Sequence, residues 1–248
     1  MDDASDGDDF EPNAAQPNNS TQPNLEYGPS NFNLPQRFTW ILAYDFPKTK
    51  GSWQRLKNGW GADSSVNMQS GQPFQFNYNF ESDFSGSGEG DDRPDSIGPT
   101  VYHPHDPLEY VDLSTFAIPC TVTAATGKNQ DCIPGTRHFG DEGRDSLHGP
   151  TFKQWDLAIY KNTPITERVT MQLRADFFNI LNHPNFSNPF LPTYIADPGI
   201  HGFAVNGAGR EVGTGGFPLT ATGDVGIGNP FLGGGGPRGI QFALKFVF

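Results

Sequence analysis

Gly239-Ile-Gln-Phe-Ala-Leu-Lys-Phe-Val-Phe248 closes the chain, with large apolar side chains at Ile240, Phe242, Leu244, Phe246 and Phe248. Successive side chains of a strand point to opposite sides of a sheet, so this alternation describes a strand with one greasy face and one mixed face. About ten residues is also the length a tilted strand needs to cross the hydrocarbon core of a bilayer. The same residues describe a half-buried strand of a soluble sandwich equally well. The rest of the chain has to decide.

Of the 248 residues only 35% are hydrophobic, while 30 are Gly and 22 are Pro, a balance that favours short strands joined by long loops over a compact enzyme. No apolar run reaches the ~18 residues of a membrane-spanning helix, so any contact with a membrane is made by strands. The net charge is −12 and the 16 basic residues are scattered, which argues against nucleic acid as a partner. The opening Met-Asp-Asp-Ala-Ser-Asp-Gly-Asp-Asp lacks the basic and apolar regions of a secretory signal, so either the protein is not exported or its start is missing.

Four more segments carry the period-2 pattern. Arg37 to Phe46 places Phe38, Trp40, Leu42, Tyr44 and Phe46 on one face. Trp60 to Phe80 carries Val66, Met68, Phe74, Phe76, Tyr78 and Phe80, and is expected to be one strand kinked near Gly71 and Pro73. Trp155, Leu157 and Ile159 alternate with Gln154, Asp156 and Ala158. Val169, Met171, Leu173, Ala175 and Phe177 alternate with Thr170, Gln172, Arg174 and Asp176. The turn from Asn162 to Arg168 joins these last two.

The connections alternate in length. Residues 1–36, roughly 81–151 and roughly 182–238 are long, whereas those after the first and third strands are short. Outer-membrane barrels have long cell-surface loops and short periplasmic turns, and a soluble sandwich has no reason to keep such an alternation. The expected fold is therefore all-β, an antiparallel transmembrane β-barrel segment of about five strands with long surface loops. Residues 1–36 are expected to be an extracellular loop, partly disordered, and residues 37–248 barrel. On this parity the last strand ends in the periplasm.

Gly143-Arg-Asp-Ser-Leu-His-Gly-Pro150, Trp155-Asp-Leu157, Lys161-Asn162 and Arg174-Ala-Asp-Phe-Phe-Asn-Ile-Leu-Asn-His-Pro-Asn-Phe186 resemble the closing part of TonB-dependent outer-membrane receptors. The nearest group is the Oar-like set with a carboxypeptidase-regulatory-like domain, of acidobacterial type. Tyr27-Gly-Pro-Ser30, Ser70-Gly-Gln-Pro-Phe74 and Pro237-Arg238 fit the same group, so the resemblance spans about Tyr27 to Phe248. Asp145 stands where Asn is usual and His148 where Arg is usual. The tail resembles the C-terminal signature of outer-membrane barrels, which implies that Ile240, Phe242, Leu244, Phe246 and Phe248 form an insertion signal read by the barrel-assembly machinery.

The resemblance further implies a parent receptor that takes up a bulky, scarce ligand by energy-coupled transport across the bacterial outer membrane. Its partners would be outer-membrane lipid, the remaining strands and plug of a barrel of about 22 strands, and an inner-membrane energy-coupling complex acting through the plug. The chain reads as a C-terminal fragment of that parent. Two open edges of ten-residue strands would leave backbone groups unpaired in lipid, so closure needs further strands. The alternative is a secreted acidic β-rich carbohydrate-binding or adhesion module, with Trp53, Trp60 and Tyr102 as sugar-stacking residues.

Other motifs carry less. Cys120 and Cys132 lie in the long second connection and, in an exported protein, pair as a disulfide closing a small loop; two free thiols are the other reading. His103-Pro-His105-Asp106 offers two imidazoles and a carboxylate to a metal, and equally suits an exposed loop, so no metal or cofactor is assigned. The acidic residues Asp2, Asp3, Asp6, Asp8 and Asp9 lack the alternate spacing of a calcium loop. Gly223-Asp-Val-Gly-Ile-Gly228 and Gly233–Gly236 are not followed by the Lys-Ser/Thr of a phosphate loop. Nucleophile elbows, metalloprotease motifs and paired carboxylates are missing, and the protein is not expected to be an enzyme.

Overall fold

The computed structural model describes residues 18–30, 33–75, 83–88, 92–124, 132–188, 202–221 and 236–248. Its largest element is a five-stranded antiparallel sheet of β1 (Arg37–Asp45), β2 (Trp60–Gln69), β3 (Phe152–Pro164), β4 (Thr170–Phe178) and β5 (Gly239–Val247), in that spatial order. Neighbours in sequence among these strands are neighbours in space. Strands rich in Phe, Trp, Tyr, Ile and Thr favour this conformation, and the two short connections let each hairpin close locally. β1 and β2 are joined through Phe46 to Gly59, which include one helical turn, Gln54–Lys57. The β3–β4 ladder runs on to the Pro164–Thr170 pair, so that turn is shorter than the sequence suggests.

The chain divides into two compact units. One is this sheet, drawn from Pro35–Ser70, Thr151–Asn185 and Ala221–Phe248. The other is drawn from Met1–Leu34, Gly71–Pro150 and Phe186–Thr220. It holds a four-stranded sheet in the order Gly202–Val205, Arg210–Thr214, Phe116–Thr121, Asp95–Ser96, together with short strand pairs. Its core includes Phe74, Phe84, Val111, Leu113, Phe116, Ile118 and Leu147, all essentially inaccessible. Cys120 and Cys132, both buried in that core, are joined in a disulfide with Cα atoms 5.7 Å apart. On the chain-entropy account a loop of this size stabilises by roughly 3 kcal/mol.

One expected strand is corrected. β2 stops at Gln69, and Pro73–Phe74 belong to a separate pair with Leu147–His148. The physical reason lies at Gly71, where the backbone comes so close to the Gly149 carbonyl that a Cβ would overlap it. Phe74 is consequently buried in the second unit's core. Phe76, Tyr78 and Phe80 lie outside the described residues, as do Asp2 to Asp9 and Gly223 to Gly228.

Candidate functional site

The register assigns each strand's side chains to one of two faces. Phe38, Trp40, Leu42 and Tyr44 of β1 stand opposite Met68, Val66, Ser64 and Ala62 of β2. Those continue to Lys153, Trp155, Leu157 and Ile159 of β3. Leu157 and Ile159 pair with Phe177 and Ala175 of β4, which pair with Ile240 and Phe242 of β5. One face is therefore apolar across all five strands, and it is exposed: Phe242 is 79% and Phe248 92% accessible. A continuous exposed face of this kind marks a surface meant for an apolar medium. Ile240, Phe242, Leu244 and Phe246 all lie on it.

Polar atoms on this face are satisfied or lie near its ends. The Ser64 hydroxyl accepts from Trp155 Nε1 at 2.9 Å, as burial in lipid requires. Lys153 and Lys161 bracket Trp155, Leu157 and Ile159 along β3. They are separated by roughly 26 Å of strand, or about 20 Å of height at the usual tilt. Lys153 is exposed at one end, and at the other Lys161 is buried with its ammonium on the Arg55 and Asn58 carbonyls, so the apolar span between them fits within a band ~25 Å tall.

The opposite face is a hydrogen-bonded polar surface. Arg174 donates from Nη1 to Asp63 at 3.0 Å and from Nε to Asp176 at 2.7 Å, tying β2 to β4 across Ala158 of β3. Tyr160 donates to Asp45 at 2.8 Å, and Arg174 lies 6.0 Å from the Tyr160 ring centre. Gly61 makes this reach possible, since the Tyr160 ring occupies the space a Cβ at Gly61 would need. Gln172 donates to Asn162, and Thr39 to Asn67. Arg174 and Asp63 keep about a third of their surface open (35% and 38%), so these pairs line a wet surface rather than a dry core. Ile41, Phe178 and Val247 are exposed large apolar exceptions on it, and Phe152 a buried one.

The motif blocks turn out to be structural. Ser70–Phe74 and Gly143–Pro150, far apart in sequence, meet through the Pro73–His148 and Phe74–Leu147 pairs. The Gly149 N–H donates to the Gln72 carbonyl at 2.9 Å. Asn179 and Asn182 adopt positive φ (47° and 51°), a conformation that Asn tolerates better than most residues. Asn179 accepts from the His183 N–H and donates to the His183 and Gly236 carbonyls. Asn185 accepts from the Lys153 N–H and donates to its carbonyl. Asp145, the departure from Asn, also has positive φ (46°), which Asp accommodates.

In the second unit a buried ionic cluster joins distant segments. Arg93, 2% accessible, donates to Glu26 Oε1 at 3.0 Å. The Asn18 N–H shares that acceptor, while the Asn18 side chain takes the Arg93 N–H and donates to the Gly140 carbonyl. Glu142 accepts from Ser146 at 3.0 Å. Burial pushes its carboxyl up to about 8, opposed by the Ser146 hydrogen bond and by Arg93 and reinforced by Asp145 and Asp141. Nothing in the sequence pattern singles out these residues, because burial of a charge is a tertiary fact.

The remaining candidates are dispersed. His103 Nδ1 bonds the Glu109 carbonyl at 2.9 Å, and Asp106 accepts from the Leu108 and Glu109 N–H groups, so this segment forms a self-bonded turn with His105 exposed. Among the described residues no three His, Cys, Asp or Glu side chains converge as a metal site. Tyr102 packs on Tyr110 and accepts from the His148 N–H, while Trp53 and Trp60 flank the helical turn after β1.

The family model described as outer membrane beta barrel domain matches residues 1–210. No curated protein and no solved structure matches the chain. A sheet with one exposed apolar face and one hydrogen-bonded polar face is what such a domain presents to lipid and to water. The chain belongs to the outer membrane beta-barrel domain family, and its place is the bacterial outer membrane, in contact with lipid.

Proposed function

We propose that the chain forms part of the wall of a TonB-dependent, Oar-like receptor, whose intact form takes up a bulky, scarce ligand with energy relayed from the inner membrane through a plug. The observation that carries this reading is the polar face. Its Asp45–Tyr160 and Asp63–Arg174–Asp176 bonds are partly open to solvent, as suits the lining of a wide, water-filled barrel. Small barrels instead fill their interior with packed side chains. The motif resemblance supports the receptor group, and the edges at β1 and β5, unpaired with one another among the described residues, support further strands from the parent. We assign the chain no catalytic role, no metal and no cofactor.

Sequence upstream in the gene is expected to encode a plug and more alternating strands. A signal peptide followed by a soluble repeat would instead favour the secreted binding module. Under the receptor reading Phe248 serves recognition by the assembly machinery. Deleting it, or Phe248→Asp, is expected to lower receptor at the cell surface several-fold while each inserted molecule keeps its ligand affinity. Counting surface receptor per cell beside binding per receptor checks this; normal surface levels would refute the insertion signal.

A further inference from the structure

The connection between β1 and β2 is a basic island in an acidic chain. From Phe46 to Trp60 stand Lys48, Lys50, Arg55 and Lys57, with no Asp or Glu, in a protein of net charge −12. Its large apolar side chains are exposed, Trp53 at 76% and Leu56 at 60%. The connection folds against the apolar side of the sheet. Lys161, which the register places on that side, donates from Nζ to the Arg55 and Asn58 carbonyls at 2.8 Å each and lies 5.2 Å from the Trp60 ring centre. Trp60 Nε1 donates to the Leu56 carbonyl at 2.8 Å, and Asn58 bonds Thr49 in both directions. The turn is therefore held in shape from within, while the exposed Lys57 side chain is left to face other partners.

This packing leaves an open groove of about 550 Å³, with apolar walls from Phe46, Pro47, Trp60, Ala62, Leu157 and Ile159. Lys57 and Thr49 supply its polar groups. The groove is continuous with the lipid-facing surface, since Ala62, Leu157 and Ile159 belong to that face. We propose that it binds one anionic phospholipid of the periplasmic leaflet, with an acyl chain along the apolar walls and the phosphate at Lys57. Three features select that occupant. The walls are apolar and open to the membrane, the charge lining the groove among the described residues is positive, and the aromatic residues beside it suit the headgroup boundary. The periplasmic assignment rests on the alternation of long and short connections, which puts this short turn inside.

The test uses the full-length protein in phosphatidylcholine nanodiscs doped with phosphatidylglycerol or lipopolysaccharide, followed by graded delipidation and mass measurement of the lipid retained. Wild-type protein is expected to retain one phosphatidylglycerol in preference to phosphatidylcholine. Lys57→Ala should weaken that retention about fivefold, which corresponds to ~1 kcal/mol for one Lys at an anionic membrane surface. Ala62→Trp, which fills the groove and leaves Lys57 in place, should also reduce it, whereas Arg168→Ala in the β3–β4 turn should not. Equal retention of both phospholipids, indifference to Lys57→Ala or Ala62→Trp, or preferential retention of lipopolysaccharide would each overturn the proposal. The last result would show in addition that the turn faces the outer leaflet.

Discussion

Arg93→Ala is expected to destabilise the second unit by ~3–5 kcal/mol, the usual result of removing one partner from a buried ion pair. Arg93 is 2% accessible and Glu26 14%, so its loss leaves the Glu26 carboxylate in a largely desolvated site without its cation. Hydrogen exchange should report the damage locally, with protection lost in residues 18–26 and 140–146, the segments that Asn18 joins through Arg93 and Gly140. Glu26→Gln should cost less, because the amide oxygen can still accept from Arg93. The same cluster predicts a pH dependence. Glu142 holds its proton up to about 8 in the folded protein against 4.5 ordinarily, so between these values the folded state binds more protons than the unfolded state. Stability is therefore fully present below 4.5 and declines as pH rises toward 8. The urea midpoint of this unit should fall across that window; a midpoint rising with pH would show that Glu142 is ionised when folded.

Leu244→Arg is the second large effect. Leu244 pairs with Leu173 on the apolar face, and an arginine there costs up to ~2–4 kcal/mol if it lies near the bilayer midplane. Ala243→Arg, one residue earlier on the polar face beside Arg174, should be much milder, limited by repulsion between two partly hydrated guanidiniums. A heat-modifiability assay on outer membranes distinguishes them. Equal tolerance of both substitutions would contradict the assignment of faces.

The sheet was legible because most of its strands repeat one simple contrast over several successive pairs of residues. Alternation in Phe38 to Tyr44, Trp155 to Ile159 and Ile240 to Phe246 fixes both the strand and its faces without knowledge of its neighbours. The tail that decides the fold lies beyond the residues matched by the family model, so its pairing with β4 is a separate structural fact. The second unit was not legible. Its strands run two to six residues, and Phe116-Ala-Ile-Pro-Cys-Thr is buried almost throughout, so it shows no alternation to read. Phe74 continued an alternating pattern and was for that reason assigned to β2, although the close approach at Gly71 directs it elsewhere. Arg174 and Asp176 were visible as polar positions, but Asp63 as their partner and Gly61 as the space for Tyr160 required the register.

The second unit is discontinuous, built from segments that precede β1, link β2 to β3 and link β4 to β5. All of them leave the sheet from the same ends of its antiparallel strands. Among the described residues, the buried members of the unit's core, Phe74, Leu113 and Leu147 among them, all lie in the segment that links β2 to β3, so that segment supplies the apolar interior by itself. The segments before β1 and after β4 attach to it from outside, Asn18 and Glu26 through Arg93 and Arg210–Thr214 through Phe116–Thr121, so the unit is a locally formed interior with a polar and strand-paired rim recruited from afar.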